Sequence, residues 1–240
     1  MNPVTPLLDE DLRRVLCVVA HPDDLEYGAS AAVATWTARG VEVAYLLMTS
    51  GEAGMQAPPV EVGPLRAAEQ RNACAAVGVT DLTILAHPDG MLVYSLDLRR
   101  DIARRIREFR PDAVLTGQFG VEANWGLEQA DHRAVGLATV DAVRDADNTW
   151  VFPELAREGL AKWHTRWLLI GGHPEPTHGI AVDADAVAAA VASLECHEAY
   201  LADLPWHPKP AEFIPGMLTQ GGAALGTGAA VLVKAYDLGP

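Results

Sequence analysis

Residues 15–33, VLCVVAHPDDLEYGASAAV, leave a continuous apolar run, pass through His21, Pro22, Asp23 and Asp24, and return at once to small, helix-compatible residues. A run apolar at every position over the length of a strand belongs to a strand buried on both faces, as in a parallel sheet. The two adjacent carboxylates at its carboxyl end repel one another. A positive partner is therefore expected at the mouth of this first buried strand.

Working outward, strand-length apolar runs recur at 14–20 (RVLCVVA), 42–48 (EVAYLLM), 82–86 (LTILA), 112–117 (DAVLTG) and 166–172 (RWLLIGG). Helical patterns lie between them at 28–39, 64–77, 97–109 and 131–146. This alternation predicts an α/β fold, a Rossmann-like, mostly parallel sheet with helices on both faces. Residues 179–204 add a short strand and an Ala-rich helix for which Asp183 or Asp185 is the N-cap. The tail AAVLVKAYDL (229–238) reads as an edge strand, and 50–63, 118–130 and 204–228 read as loops. No composition shift or internal repeat divides the chain, so residues 1–240 are expected to form a single domain.

Composition excludes several classes of function. With 32 acidic against 18 basic residues and a formal charge of −14, the average field repels a phosphate backbone, and no nucleic-acid partner is expected. Cys17, Cys74 and Cys196 make an odd set, two of them within apolar runs, which fits buried thiols in a reducing compartment. The segment MNPVTPLLDEDLRR lacks the basic and apolar regions of an export signal, so a cytoplasmic location is expected. The weakly polar tract 216–233 holds too much Gly and too few large apolar side chains to span a membrane.

In open α/β sheets ligands bind outside the carboxyl ends of the strands, which is where His21–Asp24 falls. His21 and Asp24, three apart across a turn stiffened by Pro22, can aim at one point while Asp23 points elsewhere. A divalent metal held by His, Asp and a second His would keep positions open for water, as catalytic zinc does. His132, with Asp131 beside it, starts a helix after the fourth strand and is the candidate third ligand. Capping or hydrogen-bonded loop roles for His21 and HPDD are the alternative. Among the scattered histidines, His173 and His178 leave another strand end and are the next pair to consider. The set His21, Asp23 and His132 also spells the facial triad of a non-haem Fe(II) oxygenase. A nucleotide-binding module would need a Gly-rich turn after the first strand, where His21–Glu26 stand instead.

The stretch AHPDDLEYGASAAVATWTARGVEVAYLLMTSGEAG resembles the N-terminal signature of the LmbE/PIG-L family of zinc-dependent N-deacetylases, A-H-P-D-D-x-E-x-G followed by T-x-G-E-x-G. RAAEQRNACAAVGV is similar to the family's R-x-x-E helix, HPDG to its D-G turn, RPDAVLTG to its fourth strand, and ADHRAVG to its H-P-D-H motif. The likeness runs over about residues 14–145, with weaker support near 182 and His197. It implies one metal ion per chain, zinc or else Fe2+, on His21, Asp24 and His132. It further implies Asp23 as general base, Gln129 and Asp131 in the catalytic group, and Glu52, Arg66 and Asp89 on the sugar. An Arg66–Glu69 ion pair along the helix is the structural alternative for Arg66. The implied reaction removes the acyl group from an N-acyl amino sugar or glycoconjugate, a small-molecule partner, and leaves a homo-oligomer open. One departure stands out: Gln129 occupies the place of the family's first His in H-P-D-H, and Gln can donate a hydrogen bond but carries no proton. A repurposed or weakly active family member is the corresponding alternative.

Overall fold

The computed structural model describes residues 3–239, so the first two residues of the segment read for an export signal, and the last residue of the expected domain, lie outside it. In chain order the elements are β1 (Thr5–Pro6), β2 (Arg14–Val19), α1 (Ser30–Ala38), β3 (Glu42–Leu47), α2 (Pro59–Ala76), β4 (Asp81–Ile84), α3 (Leu96–Phe109) and β5 (Ala113–Thr116). A hairpin of β6 (Glu122–Ala123) and β7 (Gly126–Leu127) precedes α4 (Ala130–Ala146) and α5 (Pro153–Arg157). Then come β8 (Trp167–Gly171), β9 (His178–Ala181), α6 (Ala184–Glu195), α7 (Glu198–Ala202), α8 (Pro210–Leu225) and β10 (Ala230–Asp237).

The main sheet runs β1-β9-β10-β8-β5-β2-β3-β4. Every pairing is parallel except those of β10, which is antiparallel to both β8 and β9. The apolar run that opens the chain's reading is explained by burial on both faces. Val15, Cys17 and Val19 enter one core with Trp36, Tyr45 and Leu194, while Leu16, Val18 and Ala20 enter the other with Ile102, Ile106 and Ala138. Central β2 lies between β3 and β5, in register at Cys17 with Tyr45 and Leu115. The chain first winds from β2 toward β3 and β4, then crosses to β5 on the other side. That reversal of direction opens a crevice at the carboxyl ends of β2 and β5.

Two expectations are corrected. The tail is not an edge strand: β10 inserts between β8 and β9, and Val231 and Val233 are buried there. Segment 204–228 is not simply a loop, since α8 occupies most of it, with Pro215 and Gly221–Gly222 inside the helix. Helix α2 likewise begins earlier than the pattern suggests, because Pro59 suits a first helical turn where no N–H partner is needed. Asp183 caps α6 as expected, its Oδ1 accepting from Ala186 N at 2.9 Å. All three cysteines are free, Cys17 and Cys74 buried. No helix among the described residues is long and apolar enough to cross a membrane.

Candidate active site

The turn after β2 is built to separate its two carboxylates. Asp23 takes a left-handed φ of 82°, a conformation that costs a non-glycine residue about 1–3 kcal/mol unless its surroundings hold it. Two side chains do so. Gln70 Oε1 accepts the Asp23 N–H at 2.9 Å, and Asp24 Oδ2 accepts the Ala20 and His21 N–H groups at 3.0 and 2.9 Å. The backbone twist sends Asp24 toward α4 and Asp23 toward α2.

On the α4 side, His21 Nδ1, Asp24 Oδ1 and His132 Nε2 converge. Their separations are 3.3 Å between the imidazoles, 3.6 Å from His21 to Asp24 and 3.0 Å from Asp24 to His132. Ligand atoms sharing one tetrahedral zinc at about 2.05 Å stand about 3.4 Å apart, so this donor set fits such an ion. Each imidazole is fixed by its other nitrogen. His132 Nδ1 meets Glu128 Oε1 at 2.8 Å, and His21 Nε2 meets Asp89 Oδ1 at 3.0 Å and Asp131 Oδ2 at 3.3 Å. Carboxylates behind ligating histidines hold tautomer and ring angle in this way. A second group, His21 with Asp89 and Asp131, is also close enough for a metal. Its carboxylates, however, are already occupied: Asp131 accepts from Gly90 N and Leu92 N, and Asp89 from Ala53 N.

The electrostatics mark a site short of positive charge. Burial alone would lower both histidines, but Asp24, with Asp131 and Asp89, pushes His21 up to about 12, and Asp24 with Glu128 pushes His132 up to about 10. Asp24, despite its burial, is held well below the usual carboxylate range by the two imidazoles.

Asp23 sits in a different environment. Burial pushes its carboxyl up to about 7, against the pull of the Arg66 guanidinium at 3.2 Å and the Tyr200 hydroxyl, with Asp24 adding to the rise. Arg66 is itself buried and clamped, donating to Pro22 O at 2.8 Å and Gly51 O at 3.2 Å. This explains the glycines of TSGEAG: a Cβ at Gly51, whose φ is +66°, would stand 2.3 Å from Arg66 Nη1. The alternative Arg66–Glu69 ion pair does not form among the described residues. Glu69 instead accepts the Ala199 N–H at 2.6 Å.

The remaining expected residues gather at the same rim. Glu52, half-buried, accepts from Asp89 N at 3.0 Å and Ser50 Oγ at 2.9 Å, which ties the loops after β3 and β4 together. Gln129 is the exposed N-cap of α4, with no capping bond from its side chain. Asp131 is fully buried behind His21. The His21, Asp23, His132 triad of an iron oxygenase is not assembled: Asp24, not Asp23, joins the histidines, and the sheet is mostly parallel. Nor do His173 and His178 form a ligand pair, since they turn to Glu175 N and Thr177 Oγ1 respectively.

Glu128, Gln70 and Tyr200 escape a reading of the sequence. Glu128 lies four residues before His132, one helical turn away, which is the one signal that could have pointed to it. Gln70 and Tyr200 reach the site only through the packing of α2 and α7.

A diacetylchitobiose deacetylase from Thermococcus kodakarensis is 31% identical over 136 residues, 55% of this chain and 50% of that protein. A 1D-myo-inositol 2-acetamido-2-deoxy-alpha-D-glucopyranoside deacetylase from Saccharopolyspora erythraea is 30% identical over 185 residues, 62% of this chain and 60% of that protein. The chain thus spans only half to three-fifths of these relatives' lengths. Among solved structures, the N,N'-diacetylchitobiose deacetylase from Pyrococcus horikoshii superposes with a TM-score of 0.87 over 95% of this chain and 85% of that one, at 21% identity, a likeness of fold. The profile of the PIG-L, GlcNAc-PI de-N-acetylase, family matches residues 16–143, just over half the chain and the span that carries His21, Asp24, Asp23 and His132, so the chain belongs to that family.

Proposed function

We propose that this chain is a metal-dependent N-deacetylase, one domain acting on an N-acetylglucosamine-type amide, with zinc on His21, Asp24 and His132. The observation that carries the reading is the division of the HPDD carboxylates. Asp24 completes a three-atom donor set, while Asp23, one residue away, is turned off it and held by Arg66. Two carboxylates of one turn given to different tasks suit a hydrolase that needs both a metal ligand and a proton carrier. A metal bound there supplies a water of lowered pKa and polarises the amide carbonyl.

Asp23 takes the proton of the attacking water. As the C–N bond breaks it returns a proton to the amine nitrogen, so acetate and free amine leave. Gln129, exposed at the rim, can donate a hydrogen bond to the oxygen that gains charge but cannot protonate the leaving group. Arg66 and Asp89 shape the walls, and half-exposed Glu52 is the member of that trio nearest to open solvent for a sugar hydroxyl.

The test is direct. Zinc-loaded protein is expected to release free amine from N-acetylglucosamine or N,N'-diacetylchitobiose. Asp23→Asn should retain the metal and lose about 10² or more in turnover, the scale of a lost general base. Asp24→Ala and His132→Ala should each lose the metal. Stoichiometric zinc in both of those variants, or wild-type turnover in Asp23→Asn, would defeat the assignment.

A further inference from the structure

The peptide unit that joins Pro22 to Asp23 is held at both of its polar groups by one face of α2. Arg66 Nη2 donates to Pro22 O at 2.8 Å, and Gln70 Oε1 accepts the Asp23 N–H at 2.9 Å. Residues 66 and 70 stand one helical turn apart, so both side chains leave the same side of the helix. Gln70 is buried, and its amide has one orientation open to it. Its Nε2 donates to Glu26 Oε1 at 3.1 Å, and the same carboxylate oxygen accepts the Ser193 hydroxyl at 3.3 Å. A carboxylate on that side requires a donor, so Gln70 turns its oxygen to Asp23.

That grip acts on a backbone with a ready alternative. Proline followed by a residue whose φ is 82° is the pattern of a type II turn, which favours glycine at the second position. Rotating the peptide between the two residues gives the commoner type I turn, with φ at about −90° there and no strain on an aspartate. By its residue types alone the HPDD turn should take that second form. The rotation would carry the Asp23 N–H away from Gln70 and Pro22 O away from Arg66, and it would swing the Asp23 carboxylate off its line to the guanidinium. On the far side the Asp23 carbonyl is already anchored, accepting from Glu26 N at 2.9 Å, so the peptide facing α2 is the joint left to hold. We propose that Gln70 is a positioning residue for Asp23, locking the Pro22–Asp23 peptide in its strained form while Glu26 sets the direction of the amide. This rests on Asp23 being the general base.

Gln70→Met removes the acceptor with little change of volume. With zinc-loaded protein and N,N'-diacetylchitobiose, zinc should stay stoichiometric, KM should stay within about twofold, and kcat should fall about tenfold or more. In an Asp23→Asn background the same substitution should change kcat by less than about twofold, since its route of action is already gone. Exchanging the two side chains is a second test. Gln70→Glu alone sets two carboxylates face to face and should lower kcat, whereas Gln70→Glu with Glu26→Gln rebuilds the hydrogen-bond chain to the Asp23 N–H and should return kcat to within about threefold of wild type. A crystal structure of Gln70→Met without metal tests the claim apart from turnover: residue 23 should take a negative φ. Wild-type kcat in Gln70→Met, a positive φ at residue 23 in that variant, a rise in KM at constant kcat, additive losses with Asp23→Asn, or an exchange no better than Gln70→Glu alone would each overturn the proposal while leaving Asp23 as base. Should Gln70→Met fail to fold, the exchange pair decides. Wild-type kcat in Asp23→Asn would remove the base reading and this proposal with it.

Discussion

Asp23 and Asp24 meet different partners because one backbone angle differs: the positive φ at Asp23 turns its carboxylate to Arg66 while that of Asp24 meets His132. The proposed ligand set depends in addition on a residue outside it. Glu128 fixes His132 through Nδ1 at 2.8 Å, leaving Nε2 for the ion proposed there. Glu128→Ala should weaken zinc binding about 10- to 100-fold in chelator competition, and unchanged affinity would show that it does not orient His132. A second residue-scale prediction concerns stability. His197 is fully buried with neither ring nitrogen hydrogen-bonded, and burial with the nearby Arg66 charge lowers it to about 3. A folded-state value below the unfolded one, near 6.5, means the unfolded chain binds the extra proton. Stability is then intact above pH 6.5 and is lost as pH falls toward 3. At pH 5 the loss amounts to about 2 kcal/mol. Urea unfolding at pH 7 and pH 5 should show His197→Leu losing that much less than wild type over the interval, whereas parallel losses would exonerate the imidazole.

At the scale of elements, α8 shows why a Gly-rich tract need not be a loop. A Cβ on Gly221 would lie 2.2 Å from Ala230 O, and one on Gly222 2.6 Å from Ala229 N, so these glycines let the helix rest directly on the strand that follows it. Gly216, in the same helix, has nothing within 4 Å of such a Cβ. Gly216→Ala should therefore stabilise by up to about 1 kcal/mol through helix propensity alone. Gly221→Ala should instead destabilise by about 1–3 kcal/mol, because backbone must move to admit the methyl group. Equal shifts in the two denaturation midpoints would mean α8 does not sit on β10 as described. The contrast also shows what the sequence made legible. Val, Leu and Ile runs buried on both faces mark β2, β3, β5 and β8 because local burial alone dictates them, while β4, the partly buried edge strand, is marked by its apolar run alone. The place of β10 between β8 and β9 depends on how α8 turns the chain back, and no local pattern in AAVLVKAYDL records that.

For the whole molecule, the site draws on pieces that are remote in sequence: the turn after β2, the loops after β3 and β4, the start of α4, and α7. The donor set was legible because His21 and Asp24 are near neighbours and DH at 131–132 opens a helix. Gln70 and Tyr200 were not, since Gln70 meets Asp23 and Tyr200 meets Arg66 only once α2 and α7 have packed. An ion held by His21 and Asp24 on one side and by His132, 108 residues further on than Asp24, would tie the two halves of the crevice together. It would also offset the crowding of Asp24, Asp89, Glu128 and Asp131 around two imidazoles. Binding to the folded chain alone stabilises it by mass action, about 2.7 kcal/mol when free metal is 100 times its Kd. For a chain of this size that corresponds to a rise of about 5–10 °C in Tm. Thermal melts should thus fall by that amount when zinc-loaded protein is treated with a chelator and recover on adding zinc. Asp24→Ala should melt at one temperature in both conditions. If chelator leaves the wild-type Tm unmoved while the metal is shown to have gone, then the crevice is held by its protein contacts alone, and the ion serves chemistry without serving the fold.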